Sequence, residues 1–301
     1  MRRAVRAAIL LVLALVVVGA PASAEEYHIK TRDGSRSAIV LPAGRPRAPT
    51  VIVLHGALIS AEFTLSWYGF VEEGVRHGFA TVFPRGIDLL WNDGRNAVWT
   101  STADDVGFLR RLVRALVGRG VADPARLYLV GVSNGGMLAL RVVCEAPELF
   151  AGVGLIVASM PTDVGAGCRL RQPMPVIMFN GTADPLIPYA GGAVGFTGWQ
   201  GTVWPVERTA VFLAHGNGCG SPTKAVVSGR AQSDGIRIVR LDWAQCSSQR
   251  GVTLYRVEGG GHQVYGHTNF FPMFLGSGTS LVSAPEVIMA AFAGKGQPPS
   301  H

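Results

Sequence analysis

The chain lacks several things that would each point to a class of function. It has no Cys-x-x-Cys pair among its four cysteines, no cluster of basic residues with interleaved aromatics, no internal repeat and no interdomain linker. The missing cysteine pair excludes a zinc knuckle or a redox dithiol. Scattered basic residues, despite a formal net charge of +7, exclude a nucleic-acid partner and leave the charge as a solubility feature. Without a linker or repeat, one large α/β domain is expected rather than two. Residues 9–18 form a wholly apolar run, well short of the ~20 residues that a membrane span needs.

That run follows Arg2, Arg3 and Arg6 and precedes Ala22-Ser23-Ala24, a small-residue cleavage site. The order of basic, apolar and small residues reads as a secretory signal peptide over residues 1–24. It predicts a secreted or periplasmic protein with no stable membrane anchor after cleavage. No cysteine follows the apolar run, so a lipid anchor is not expected. Residues 25–301 are then a single catalytic domain. In an oxidising compartment, Cys144, Cys168, Cys219 and Cys246 read as two disulfides with three possible connectivities. Cys144–Cys168 with Cys219–Cys246 is preferred, because each bond closes one local loop; free buried thiols are the alternative.

Strand and helix signals alternate along the chain. Residues 27–31 and 37–41 read as a hairpin, and residues 50–54 (Thr-Val-Ile-Val-Leu) as a strand covered on both faces. A helix near 67–77 and a strand at 80–83 follow. Ser101 and Thr102 read as the N-cap region of a helix with Asp104 and Asp105 in its first turn; its apolar residues Val106, Leu109, Leu112, Val113, Leu116 and Val117 recur at helical spacing, and Gly118 and Gly120 close it. Strands are expected at 127–130, 152–158, 175–180 and 252–257, helices at 137–144 and 285–292, and a disordered tail at 294–301. Residues 191–201, rich in glycine and carrying Trp199, read as a surface loop near the site. Such alternation predicts a mainly parallel central sheet with helices on both faces.

The chemistry centres on Gly131-Val132-Ser133-Asn134-Gly135, which joins an apolar strand to a helix. Gly-x-Ser-x-Gly in that context is a nucleophile elbow, a turn so sharp that the serine hydroxyl projects from the backbone. With 39 glycines in the chain, chance alone can supply the pentapeptide, so the partners decide. Acyl transfer by serine needs a base to take its proton, an acid to orient that base, and donors for the oxyanion. Asp184 follows the strand at 175–180 and His262 follows the strand at 252–257, so all three lie beyond carboxyl strand ends in the order Ser, acid, His. Asp163 is a rival acid. His267 and His215 are rival bases that do not directly follow a strand. His55 comes too early in chain order, and His28 and His77 read as structural.

The backbone N–H of Asn134 is the first expected oxyanion donor, at a helix N-terminus. The second is expected from the loop after residues 50–54, with Ala57 preferred and Leu58 the alternative. Trp91 and Tyr265 are expected substrate-contacting aromatics, with ordinary packing as the competing reading. Asn180-Gly181-Thr182 matches a glycosylation triplet but reads better as turn chemistry. No metal or organic cofactor is required by this scheme, and the expected partner is a small or oligomeric ester.

The set Leu54-His55-Gly56, Trp91-Asn92-Asp93-Gly94-Arg95, Asp104-Asp105-Val106-Gly107-Phe108, the elbow, residues 181–189 and Gly259-Gly260-Gly261-His262 resembles the polyhydroxybutyrate depolymerase-like and feruloyl-esterase-like α/β-hydrolases. It covers nearly the whole of residues 25–301. The resemblance implies an α/β-hydrolase fold, a serine carboxylic-ester hydrolase, and Ser133, Asp184 and His262 as nucleophile, acid and base. The local disulfide pairs fit it too. Two departures stand beside the expected pocket: Val264-Tyr265-Gly266 replaces a common Trp-Pro-Gly, and residues 268–283 carry Phe270, Phe271 and Phe274. A serine peptidase on the same fold and a catalytically silent binding protein are the two alternative readings.

Overall fold

The computed structural model describes residues 24–97, 100–227 and 235–294. The signal-peptide reading of residues 1–24 falls almost wholly outside them, as does all but the first residue of the expected tail. The strands are β1 (Glu25–Thr31), β2 (Gly34–Leu41), β3 (Ala48–Leu54), β4 (Ala80–Pro84), β5 (Ala122–Val132), β6 (Gly152–Ile156), β7 (Val176–Gly181), the two-residue pair β8 (Gly192–Ala193) and β9 (Thr202–Val203), β10 (Thr223–Val226), β11 (Arg237–Trp243) and β12 (Val252–Glu258). Ten of them form one sheet in the order β1-β2-β4-β3-β5-β6-β7-β12-β11-β10. Its six central strands run parallel, and an antiparallel pair closes each end. This is an α/β-hydrolase architecture.

Helices α1 (Ala61–Trp67), α2 (Phe70–His77), α3 (Asp105–Gly118), α4 (Asn134–Glu145), α5 (Thr162–Gly167), α6 (Val206–Gly216), α7 (Pro272–Leu275) and α8 (Ala284–Phe292) complete the described chain. The central strands read as continuous apolar runs because both of their faces are covered. Along β3, Ile52 and Leu54 join the core built with Leu109 and Leu112 of α3 and Leu138 of α4. Val51 and Val53, pointing the other way, join Phe70 of α2 and Ile288 of α8. The period of two along each strand therefore sorts side chains into two cores.

The cap of α3 is Asp104, which accepts from Gly107 N–H at 3.0 Å, and not Ser101 or Thr102, which lie ahead of the helix. Asp105 is buried against Arg36 of β2 at 2.8 Å and accepts Asn92 N–H at 2.6 Å. Burial holds the Asp105 carboxyl above its usual range in spite of these partners. The disulfides are Cys144–Cys168 and Cys219–Cys246, the locally closing pairing.

Two further features differ from sequence expectation. The helix near 67–77 is two helices, broken at Gly69, whose φ of +74° needs glycine and whose missing Cβ leaves room for the His267 ring. The elements α6, β10 and β11 also carry no clear sequence signal; β11 (Arg-Ile-Val-Arg-Leu-Asp-Trp) has neither the continuous apolar run of the central strands nor strict alternation.

Candidate active site

At the end of β5 the chain turns at Ser133, whose φ of 54° and ψ of −119° lie in a region that side-chain-bearing residues rarely occupy. Ser133 N–H bonds to Ile156 O at 2.9 Å, and Ser133 O starts α4 by accepting from Met137 N–H at 2.9 Å. The flanking glycines are steric requirements. A Cβ on Gly131 would lie 2.3 Å from Gly135 O, and one on Gly135 would lie 2.5 Å from His55 O. Only hydrogen at both positions lets strand, turn and helix approach this closely.

Asp184 stands on the loop after β7 and uses both carboxylate oxygens. Oδ1 accepts the N–H groups of Leu186 and Ile187, each at 2.8 Å. Oδ2 meets His262 Nδ1 at 2.7 Å, with both side chains nearly buried. A carboxylate is only an acceptor, so Nδ1 carries a proton, and in the neutral ring Nε2 is the nitrogen with the lone pair. The loops of acid and base are tied together: Ala183 N–H bonds to Gly260 O at 2.9 Å, and Gly259 N–H bonds to Thr182 Oγ1 at 2.9 Å. From the other side, His262 N–H bonds to Leu275 O of α7 at 2.6 Å.

The structure thus brings Asp184 and His262 into contact and sets Ser133 on the same carboxyl edge of the sheet. Among the described residues the Ser133 hydroxyl makes no hydrogen bond. The rival acid Asp163 is exposed on α5 and accepts Asn96 N–H at 3.1 Å. His215 is exposed on α6, and His267 packs against Gly69 with its pKa lowered by burial.

The loop after β3 passes beside the serine: a Cβ on Gly56 would lie 3.6 Å from Ser133 Cβ. Leu58 N–H is taken by Leu89 O at 2.9 Å, so Leu58 is removed as an oxyanion donor. The N–H groups of Ala57 and Asn134 have no acceptor among the described residues. His55 organises this loop from inside. Its Nε2 accepts Gly86 N–H at 2.9 Å, which makes Nδ1 the donor to Gly56 O at 2.8 Å. Burial lowers the His55 pKa from 6.5 to about 4.

A pH dependence follows. Above pH 6.5 the His55 ring is neutral folded or unfolded. As pH falls from 6.5 towards 4, the unfolded chain takes up a proton that the folded ring refuses, and stability is lost by about 3 kcal/mol in all. Urea midpoints at pH 7 and near pH 4 should separate much less in His55→Gln than in the unaltered protein. Equal separation would remove His55 as the source.

Two expected contacts are corrected. Trp91 and Tyr265 are wholly buried and have no face to offer a substrate. Trp91 Nε1 donates to His55 O at 3.0 Å, with the two rings 4.7 Å apart. Tyr265 Oη donates to Gly261 O at 2.6 Å, beneath the His262 loop. Each buries its ring and spends its polar tip on a loop carbonyl, which is how such residues satisfy burial. Asn180 is likewise buried, but it lies within β7 and its amide donates across to Ala158 O at 3.0 Å, a bond between distant segments rather than the turn expected from its sequence.

Asp93 and Arg95 have a role that sequence reading did not single out. The Asn134 side chain accepts Trp91 N–H at 2.8 Å and donates to Asp93 Oδ2 at 2.5 Å. Asp93 in turn receives the Arg95 guanidinium, with Nη2 at 2.7 Å, and Arg95 Nη1 reaches Gln200 O at 2.5 Å. A buried strut therefore runs from the residue after Ser133 to the 191–201 loop. The only sequence trace of it was the Trp-Asn-Asp-Gly-Arg string within the family pattern.

Fold and strand-end geometry together define an α/β-hydrolase. The acetyl xylan esterase of Aspergillus awamori superposes with a TM-score of 0.57 at 12% identity, covering 83% of this chain and 96% of that one, a likeness of fold. The chain belongs to the feruloyl-esterase-like and polyhydroxybutyrate depolymerase-like esterases. It is 31% identical to the protein named "Putative esterase NocK" of Nocardia uniformis subsp. tsuyamanensis, over 84% of this chain and 74% of that one. Feruloyl esterase B of Piromyces equi is 25% identical over 73% of this chain and 40% of its own length. Poly(3-hydroxybutyrate) depolymerase of Ralstonia pickettii is 27% identical over 58% of this chain and 39% of its own. The chain thus spans about two-fifths of these two longer relatives. The prolyl oligopeptidase family model matches residues 96–162, the stretch containing α3 and the elbow.

Proposed function

We propose that this esterase is an exported serine hydrolase of carboxylic esters, acting through Ser133, His262 and Asp184 by way of an acyl-enzyme. The observation that carries the reading is the 2.7 Å contact from Asp184 Oδ2 to His262 Nδ1, at strand ends flanking the Ser133 elbow. Ser133 Oγ attacks the ester carbonyl as His262 Nε2 takes its proton, and Asp184 stabilises the imidazolium. The N–H groups of Asn134 and Ala57 hold the oxyanion. Collapse breaks the ester bond, His262 protonates the departing alkoxide, and the acyl group stays on Ser133. Water, deprotonated by His262, then releases the acid and restores the serine.

Residues 1–24 are the proposed signal peptide and residues 25–301 the catalytic domain, in keeping with two disulfides and an oxidising compartment. Among the described residues no helix is long and apolar enough to cross a membrane. The proposed substrates are hydroxyalkanoate oligomers or feruloyl and acetyl esters. The match to the prolyl oligopeptidase model favours one competitor, amide hydrolysis.

A fluorophosphonate probe, followed by peptide mapping, should label Ser133 and abolish hydrolysis of a short aryl ester. Unlabelled Ser133 would make the protein a silent binding module. Cleavage of peptide anilides faster than of esters would make it a peptidase.

A further inference from the structure

The exposed large apolar side chains are not spread over the molecule. Among the described residues, those other than Val75, Val211 and Val226 all stand on segments around the carboxyl edge that carries Ser133, Asp184 and His262. Met273 is 90% exposed and Phe271 72%, with Phe274 beside them, on and just before α7. This is the helix whose Leu275 carbonyl holds His262 N–H. On the acid side, Trp199 is 75% exposed and Phe196 nearly as open. Their loop is pinned where Gly195 N–H bonds to Leu186 O at 2.8 Å, two residues after Asp184. Leu58, exposed beside Ala57, completes the third side. Phe270 joins the sides by packing on Phe63 and Trp67 of α1, with ring centroids 4.9 and 5.8 Å away.

The composition of these segments is as telling as their exposure. Residues 185–206 and 268–285 contain no Asp, Glu, Lys, Arg or His. Two solvent-facing segments of this rim, without charge and carrying protruding Phe, Met and Trp, are costly in water and mark a surface that meets something apolar, while Glu62 and Asp88 stand exposed on the third side. Neither segment carries a Lys or Arg to draw it to an anionic surface.

We propose that this rim is a docking face that seats the protein on droplets of an uncharged, water-insoluble acyl ester, so that single molecules enter the cleft at Ser133 from that phase. The proposal rests on the esterase reading above and extends it to the physical state of the substrate. Phe271, Met273 and Phe274 enter the droplet beside the base, while Trp199 and Trp67 lie at its boundary, where rings with one polar atom are favoured. Attachment is hydrophobic and therefore insensitive to ionic strength.

The full chain is assayed on tributyrin below and above its solubility limit, with dissolved p-nitrophenyl acetate as the control. The rate should rise steeply once droplets form, and the protein should float with the droplets in low and high salt alike. The triple variant Met273→Ser, Phe274→Ser, Trp199→Ser should lose about tenfold or more of the droplet rate, since each side chain contributes burial energy at the surface. On the dissolved ester it should stay within about twofold, as exposed substitutions usually do. The proposal is overturned if the rate shows no rise at the solubility limit, or if the variant keeps the droplet rate. It is equally overturned if the protein binds only anionic vesicles and salt releases it. Sedimentation showing a dimer that the triple variant loses, with droplet rates unchanged, would assign the face to a second copy. Failure of the unaltered protein on dissolved p-nitrophenyl acetate would instead overturn the esterase reading, and this proposal with it.

Discussion

Replacing Ser133 by alanine should lower kcat/KM on a dissolved aryl ester by roughly 10⁴- to 10⁶-fold and leave the thermal midpoint where it was. The fold is spared because alanine keeps the Cβ that already tolerates a φ of 54°, and the hydroxyl makes no hydrogen bond whose loss would destabilise the turn. The rate is not spared, because in the proposed mechanism Ser133 Oγ is the atom that forms the acyl bond. Asp184→Asn should cost about 10⁴-fold through a different route. An amide can offer its NH₂ to His262 Nδ1, turning the ring so that Nε2 carries the proton and can no longer act as base. The two effects should not multiply: the double variant should be about as slow as Ser133→Ala alone, since the groups act as one unit. Stopped-flow acylation and steady-state rates on the three variants check this. Retention of rate within about tenfold in Ser133→Ala would remove the serine from the mechanism.

Asp93→Ala should be among the most damaging substitutions outside the triad. It leaves Arg95, nearly buried, without its carboxylate partner, and an uncompensated buried charge costs about 3–5 kcal/mol. It also frees the Asn134 side chain from its 2.5 Å contact, loosening the residue whose N–H is the proposed oxyanion donor. Loss of one such donor lowers kcat by about 10²- to 10³-fold, and a misplaced donor should fall at or below that range. The signature is a fall in kcat with KM little changed, measured where the variant is still folded. Asp93→Ala with Arg95→Met should recover much of the stability, because the stranded charge is gone, but not the kcat. Full recovery of both would show that the strut acts through stability alone.

The parts of the site legible in sequence are those whose cause is local. Gly131, Ser133 and Gly135 could be read because an elbow is a matter of three neighbouring backbones, and the flanking hydrogens are demanded within five residues. Asp184 and His262 could be read because each directly follows an apolar run, and in a parallel sheet every strand delivers its loop to one edge. The burial of Trp91 and Tyr265 could not be read. An aromatic beside a catalytic loop has the same sequence appearance whether its ring faces the cleft or the core, and only the carbonyls of His55 and Gly261 decide. The break at Gly69 was hidden for a similar reason, since the His267 ring that occupies the space is distant in sequence.

The sequence by itself determined the order of elements, the two-sided sheet, and the identity of the nucleophile, acid and base candidates, through hydrophobic period, turn chemistry and chain order. Only the tertiary structure engaged Leu58 N–H with Leu89 O and left Ala57 N–H without an acceptor among the described residues. It alone joined Asn134 through Asp93 and Arg95 to Gln200, and left apolar side chains exposed on three segments that follow strand ends of the sheet. Those outcomes depend on hydrogen bonds and packing between segments far apart along the chain, and no local pattern records which distant partner a buried group will meet.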